Sequence, residues 1–268
     1  MRIARALVSL LPAPIQMRLR RHHYARKLSE ATLEDESDLR VLPQFVKPGM
    51  TVLDIGANFG LYTRFLSEQV GPAGKVFSFE PISDSFEVLE NNVTGLGLEN
   101  VSLFRYALSN EEGTAEMRIP KRSDGSLNHY EASLETGEWQ GDYIVDRVEM
   151  GTLDQWVEDQ GIGKIDFIKC DVEGHEVAVL EGARKTFNES RPIVLIEVNQ
   201  PLCGDPNGEA VREWFETNGF EIFVLIGNEV KRWEEGIVQV NYLMIPSELV
   251  KEQVPVTSAK AAPTPLAV

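Results

Sequence analysis

The sequence predicts a doubly wound α/β fold: a mostly parallel sheet with an antiparallel hairpin at one edge. Strand-like apolar runs alternate with helical patterns, as in "MTVLDI" followed by Leu61 to Val70 and "IDFIKCDV" followed by His175 to Phe187. The runs "VLDI", "IDFI" and "IVLIEV" are nearly continuously apolar, which suits strands covered by helices on both faces. A length of 268 residues, with 43% hydrophobic and 25% charged content, fits one such domain with extensions.

In chain order, residues 1–40 read as a basic N-terminal arm or helical extension, 41–250 as the α/β domain, and 251–268 as a disordered Pro/Ala/Thr-rich tail. Leu7, Leu10 and Leu11 lie close to helical spacing, and "MRLRRHHYARKL" adds cations with Leu19 and Leu28. Two readings of the arm stay open: attachment to an anionic membrane surface, or a helix that caps the domain. The run "ALVSLLPAPI" is too short and too broken by proline for a span, and a cleaved signal is not expected from it.

The domain then reads "MTVLDI", "KVFSFE" and "NVSLFRYAL" as three strands, with a helix through Phe86 to Asn92 after the second. "PIVLIEVN" precedes a helix around Val211 to Thr217, and "FEIFVLI" with "VNYLMIP" suggests the antiparallel pair at the edge. Between Glu111 and Met150 the pattern loosens into a long polar connection, a length that marks either disorder or function.

The net charge of −16 argues against nucleic acid as a partner, because phosphate binding relies on Lys and Arg. Seven Arg and Lys residues nevertheless precede the first acid, Glu30, so the two regions are expected to meet different surroundings. The two cysteines, Cys170 and Cys203, read as unpaired thiols of a reducing compartment, which makes the cytoplasm the expected location.

The stretch "TVLDIGANFGLYTRFL" carries the chemistry. Gly56 and Gly60 form G-x-x-x-G, not the G-x-G-x-x-G of a dinucleotide site, although both place a tight turn before a helix. Asp54 at the strand end repels phosphate and attracts an ammonium group, so the expected ligand is a nucleoside bearing an amino acid. Glu80 ends the next strand 24 residues after Gly56, near the offset at which an acid binds ribose hydroxyls.

These residues resemble class I S-adenosylmethionine-dependent methyltransferases, and within them the FkbM family. The resemblance runs from about Val46 to Pro246 and is carried by "VKPGMTVLDIGANFGLYT", "GKVFSFEP", "NVSLFRYALSNEEG", "TLDQW", "IDFIKCDVEGHEVAVLEGA" and "RPIVLIEVN". It implies a Rossmann-like methyltransferase fold with Asp54, Gly56, Asn58 and Gly60 around the methionine moiety and Glu80 on the ribose. Adenine would lie near Ala107 and Leu108. The implied reaction is O-methylation of a small molecule: a sugar, a glycolipid or polysaccharide precursor, or a secondary metabolite.

"DVEGHE" should emerge at the carboxyl edge of the sheet, where such folds bind ligands. Methyl transfer to a hydroxyl needs the oxygen positioned and its proton removed, and Asp171, Glu173 and His175 offer acids and an imidazole there. Capping of the next helix is the alternative for the two acids. Asp171, Glu197 and Asn199 could also hold Mg²⁺, a hard cation served by oxygen ligands. In the polar connection, Asn128, His129 and Tyr130, with Trp139, could cover a carbohydrate acceptor. A nucleic acid N-methyltransferase would carry a D/N-P-P-Y/F element where this chain has "DVEG". The rivals are a Rossmann dehydrogenase, disfavoured by the glycine spacing, and a non-catalytic cofactor-binding scaffold.

Overall fold

The computed structural model describes residues 11–122, 126–129, 132, 134, 141–227 and 229–253. Helix α1 (Ala13–Glu30) starts behind Pro12 and Pro14, which suit a first helical turn whose N–H groups have no partner. A single turn of 3-10 helix, Leu39–Val41, and α2 (Leu42–Phe45) lead into strand β1 (Thr51–Ile55). Helix α3 (Leu61–Val70), β2 (Lys75–Phe79), α4 (Ser83–Leu96) and β3 (Val101–Phe104) complete the first half. The second half runs α5 (Leu153–Asp159), β7 (Phe167–Cys170), α6 (Glu176–Glu181), α7 (Arg184–Ser190), β8 (Ile193–Glu197) and α8 (Pro206–Thr217). It closes with β9 (Phe220–Ile226), β10 (Glu229–Arg232), β11 (Asn241–Pro246) and α9 (Val250–Gln253).

The main sheet has the order β10-β9-β11-β8-β7-β1-β2-β3. β1 is parallel to both β2 and β7, and β7 is parallel to β8. Chain order therefore reverses direction between β1 and β7, and the crevice beyond their carboxyl ends is where an open α/β sheet receives ligands. Continuous apolar strands are buried on both faces as expected: Val52, Leu53 and Ile55 of β1 and Ile193 to Ile196 of β8 all lie in the core.

Five expectations need correction. The expected antiparallel pairing of "FEIFVLI" with "VNYLMIP" forms, as β9 against β11, but β10 pairs on the far side of β9 as the edge strand and β11 lies between β9 and β8. The third strand divides, β3 staying in the main sheet and β4 (Ala107–Leu108) joining a second sheet. The long polar connection is bounded by β5 (Gly113–Pro120) and β6 (Tyr143–Gly151), which pair antiparallel along their length. The helix expected from His175 to Phe187 breaks at Gly182–Ala183, because Asp154 of α5 accepts from the Lys185 and Thr186 N–H groups and caps a new helix there. At the C-terminus, residues 251–253 of the expected disordered tail form the helical turn α9, and 254–268 lie outside the described residues.

Of the two readings of the N-terminal segment, the described part supports a capping helix. Leu28 is buried with Phe59 and Val88, and Tyr24 stacks on Phe59 with ring centroids 4.8 Å apart. The Arg64 guanidinium, on α3, donates to the carbonyls of Leu28 and Ala31 and fixes the helix end.

Candidate active site

A cleft opens at the carboxyl edge of β1, β2 and β7, with the second sheet and its loop as the opposite wall. Its floor is set by strand-end hydrogen bonds. Gly56 and Ala57 donate to Phe79 O at 3.0 and 2.9 Å, and Asp171 N donates to Ile55 O at 2.9 Å. Gly56 must be glycine for a reason the sequence does not reveal: a Cβ there would lie 1.7 Å from the Asp171 carbonyl oxygen. The turn thus packs against the chain segment that carries the candidate base.

Glu80 lines the cleft at the end of β2 and is 5% exposed. One carboxylate oxygen accepts from Asn58 N at 2.8 Å and the other from Ile82 N at 2.9 Å. Burial pushes its pKa up to about 7, with these two N–H groups opposing the rise. Each oxygen keeps a further lone pair with which to accept a hydroxyl proton. Asn58 also lines the cleft and is held at φ +50, a left-handed conformation that asparagine tolerates better than most side chains.

Asp54 is placed differently from the expectation of direct ligand contact. It is buried below the turn, does not line the cleft, and accepts a 2.5 Å hydrogen bond from the Thr63 hydroxyl. Burial raises its pKa to about 6. Gly60 also stands behind the cleft wall, as the residue that starts α3. Ala107 and Leu108 do line the cleft, alongside Ile82 and Met117, and form an apolar bay suited to a flat base.

Asp171, Glu173 and His175 all line the cleft. Glu173 Oε2 accepts from Asn199 Nδ2 at 2.9 Å. His175 Nε2 lies 2.9 Å from Ser109 Oγ, and burial lowers its pKa, which favours the neutral imidazole. Asp171 lies against Glu197, whose pKa is raised to about 7 by burial first and by the Asp171 charge second. Behind the pair is Lys169, 1% exposed, with Nζ 3.9 Å from Glu197 Oε2 and 4.9 Å from the centre of the Tyr62 ring. Burial works to lower the lysine pKa, but the Asp171, Glu197 and Asp38 carboxylates outweigh it and hold the ammonium charged.

Carboxylate atoms of Asp171, Glu173 and Glu197 come within 4.8 Å of one another, and Asn199, expected as a ligand, donates its Nδ2 to Glu173. The Lys169 ammonium beside these acids offsets part of their charge and so weakens the set for a divalent ion.

On the acceptor side, His129 lines the cleft, with Nε2 2.7 Å from Arg20 Nη1 and 3.5 Å from Asp84. Burial lowers its pKa, with Asp84 opposing. Asn128, expected to bind substrate, is instead buried outside the lining, where it accepts from the Arg122 guanidinium and donates through its backbone N–H to Pro120 O. Tyr130 and Trp139 lie outside the described residues.

Sequence reasoning missed Lys169, Thr63, Ser109, Arg20 and Tyr24. Lys169 carried a signal: a cation within the apolar run "IDFIKCDV", two residues before Asp171 and hence on the same strand face. Arg20 and Tyr24 carried none, since their contacts are with residues distant in the chain.

Residues 54–222 match a family model described as the methyltransferase FkbM domain. Among curated proteins, 2-O-methyltransferase NoeI of Sinorhizobium fredii is 30% identical over 216 residues, covering 75% of this chain and 84% of that protein. Hexuronic acid methyltransferase AglP of Haloferax volcanii is 29% identical over 170 residues, covering 62% of this chain and 64% of that protein. The solved structure of methyltransferase FkbM from Methylobacillus flagellatus aligns with a TM-score of 0.46 at 15% identity, covering 84% of this chain and 59% of that one.

Proposed function

Since this chain belongs to the FkbM family of S-adenosylmethionine-dependent methyltransferases, we propose that it O-methylates a hydroxyl of a sugar or sugar-bearing acceptor. The observation that carries this reading is that Glu80, Asp171 and His175 line one cleft, joining a ribose-type acceptor of hydrogen bonds to candidate proton acceptors. Support for a sugar comes from two relatives whose names specify a 2-O-methyltransferase and a hexuronic acid methyltransferase.

When bound, S-adenosylmethionine supplies an electrophilic methyl group on a sulfonium. Glu80, which lines the cleft, would accept from the ribose hydroxyls, the bay at Ala107 and Leu108 would take the adenine, and the turn at Gly56 and Asn58 would face the methionine end. Asp54 contributes from below, by holding Thr63 and the start of α3. Asp171 takes the proton of the acceptor hydroxyl, because Glu173 is engaged by Asn199 and His175 by Ser109. Lys169 steadies the charge that Asp171 and Glu197 carry together. His175 and His129 position the acceptor from two sides of the cleft. No step passes through a metal.

The test is calorimetric titration with S-adenosylmethionine and with NAD, followed by mass spectrometry of reactions with neutral sugars, uronic acids and glycolipids. Binding of S-adenosylmethionine with a mass gain of one methyl group on a sugar supports the reading. Cofactor binding with no transfer to any sugar class would return the scaffold reading.

A further inference from the structure

We propose that the outward face of α1 docks the protein on an anionic lipid surface, so that the cleft beside it serves a lipid-carried acceptor. The second half of this inference rests on the sugar O-methyltransferase reading; the first half does not.

Helix α1 has two faces with different partners. Met17, Tyr24 and Leu28 pack inward around Phe59 and Val88. Turned away from the domain, Ile15 and Leu19 are 46% and 44% exposed and lie one helical turn apart on one side of α1, and Leu11, just before the helix, is 37% exposed. Arg18 and Arg26 are exposed beside them, Arg26 with Nε 2.8 Å from Glu30 Oε1. Aliphatic groups flanked by cations are what an interfacial helix presents to headgroups and the acyl boundary. Among the described residues no helix is long and apolar enough to cross a membrane.

Charge favours this occupant over a second copy. Symmetric pairing of this face with itself would bring Arg18 of one copy toward the basic helix of the other. The chain outside the first 29 residues carries the acids that make the net charge −16, so an anionic bilayer attracts one face and repels the rest. The protein is thereby oriented with α1 toward the lipid. Arg20 of the same helix reaches His129 on the cleft wall, which places the acceptor side of the cleft next to the docking face.

The experiment is co-sedimentation of the full chain with phosphatidylcholine vesicles that contain or lack phosphatidylglycerol, at low and high salt. A variant carrying Ile15→Glu and Leu19→Glu is run in parallel, with calorimetric S-adenosylmethionine binding on both proteins to show that the domain is intact. The expected result is salt-sensitive binding to the anionic vesicles only, reduced at least tenfold in the variant while cofactor affinity is unchanged. Absence of binding to anionic vesicles, or equal binding by the variant, would overturn the proposal. So would a dimer in solution that the two substitutions dissociate without any vesicle binding. If anionic vesicles are bound through this face but the protein methylates no sugar, the docking face stands and the lipid-carried acceptor falls with the enzymatic reading.

Discussion

Glu80 and Asn58 are joined by a 2.8 Å hydrogen bond from the Asn58 N–H to the Glu80 carboxylate, so the acid that ends β2 also shapes the turn that follows β1. Ribose contact and turn geometry therefore depend on one side chain. Glu80→Ala removes a charge-assisted acceptor, and about 1.5–3 kcal/mol, or roughly a tenfold to hundredfold loss of S-adenosylmethionine affinity, is expected by calorimetry. The melting temperature should fall as well, because the Asn58 and Ile82 N–H groups lose their partner. Unchanged affinity in a folded variant would remove Glu80 from the cofactor site.

The Tyr24–Phe59 stack links α1 to the same turn. Tyr24→Ala should cost about 1 kcal/mol of aromatic pairing beyond the area exposed, and cofactor affinity should weaken with it as Phe59 loosens. Thermal melts with and without S-adenosylmethionine check this. A variant as stable as wild type would mean that the helix adds nothing to the site.

Stability should depend on pH through Asp54, whose pKa is raised by burial from 3.8 to about 6. The folded state holds this proton more tightly than the unfolded chain does, so the contribution is full below about pH 4 and is lost as pH rises through about 6. The loss is about 3 kcal/mol. Wild-type melting temperature should therefore fall relative to that of Asp54→Asn between these limits, and parallel curves would contradict the assignment.

Glu197 should govern the pH–rate profile. Below about 7 the Glu197 carboxyl holds a proton against Asp171; above that Glu197 has lost it and Asp171 is free to take the acceptor's proton. The rate should rise with pH through about 7, and in Glu197→Gln that inflection should vanish. A flat wild-type profile from about pH 6 to 8 would exclude the pair from the proton transfer.

Much of the fold was legible because buried parallel strands announce themselves as apolar runs, and the turn from Thr51 to Leu66 shows strand, glycine and helix in order. The positions of Glu80, Asp171 and His175 at the cleft followed from their places after those strands. What escaped was set by contacts across the chain. Asp54 reads as a ligand group until Thr63 is seen to take its carboxylate, and Asn128 until Arg122 does the same. The strand of Gly113–Pro120 alternates polar and apolar residues because one face of its sheet is solvated, and Tyr143–Gly151 leaves Tyr143 and Val145 exposed, so neither reads in sequence as a buried apolar run.

The central claim is tested most directly by transfer of an isotopically labelled methyl group from S-adenosylmethionine to a panel of sugar and uronic acid acceptors, with wild type and Asp171→Asn compared. The account predicts label on a sugar oxygen, with the variant slower by about 10²- to 10⁴-fold but still binding the cofactor. Equal rates in the two proteins would contradict Asp171 as the proton acceptor, and cofactor binding without label on any sugar would contradict the reaction itself.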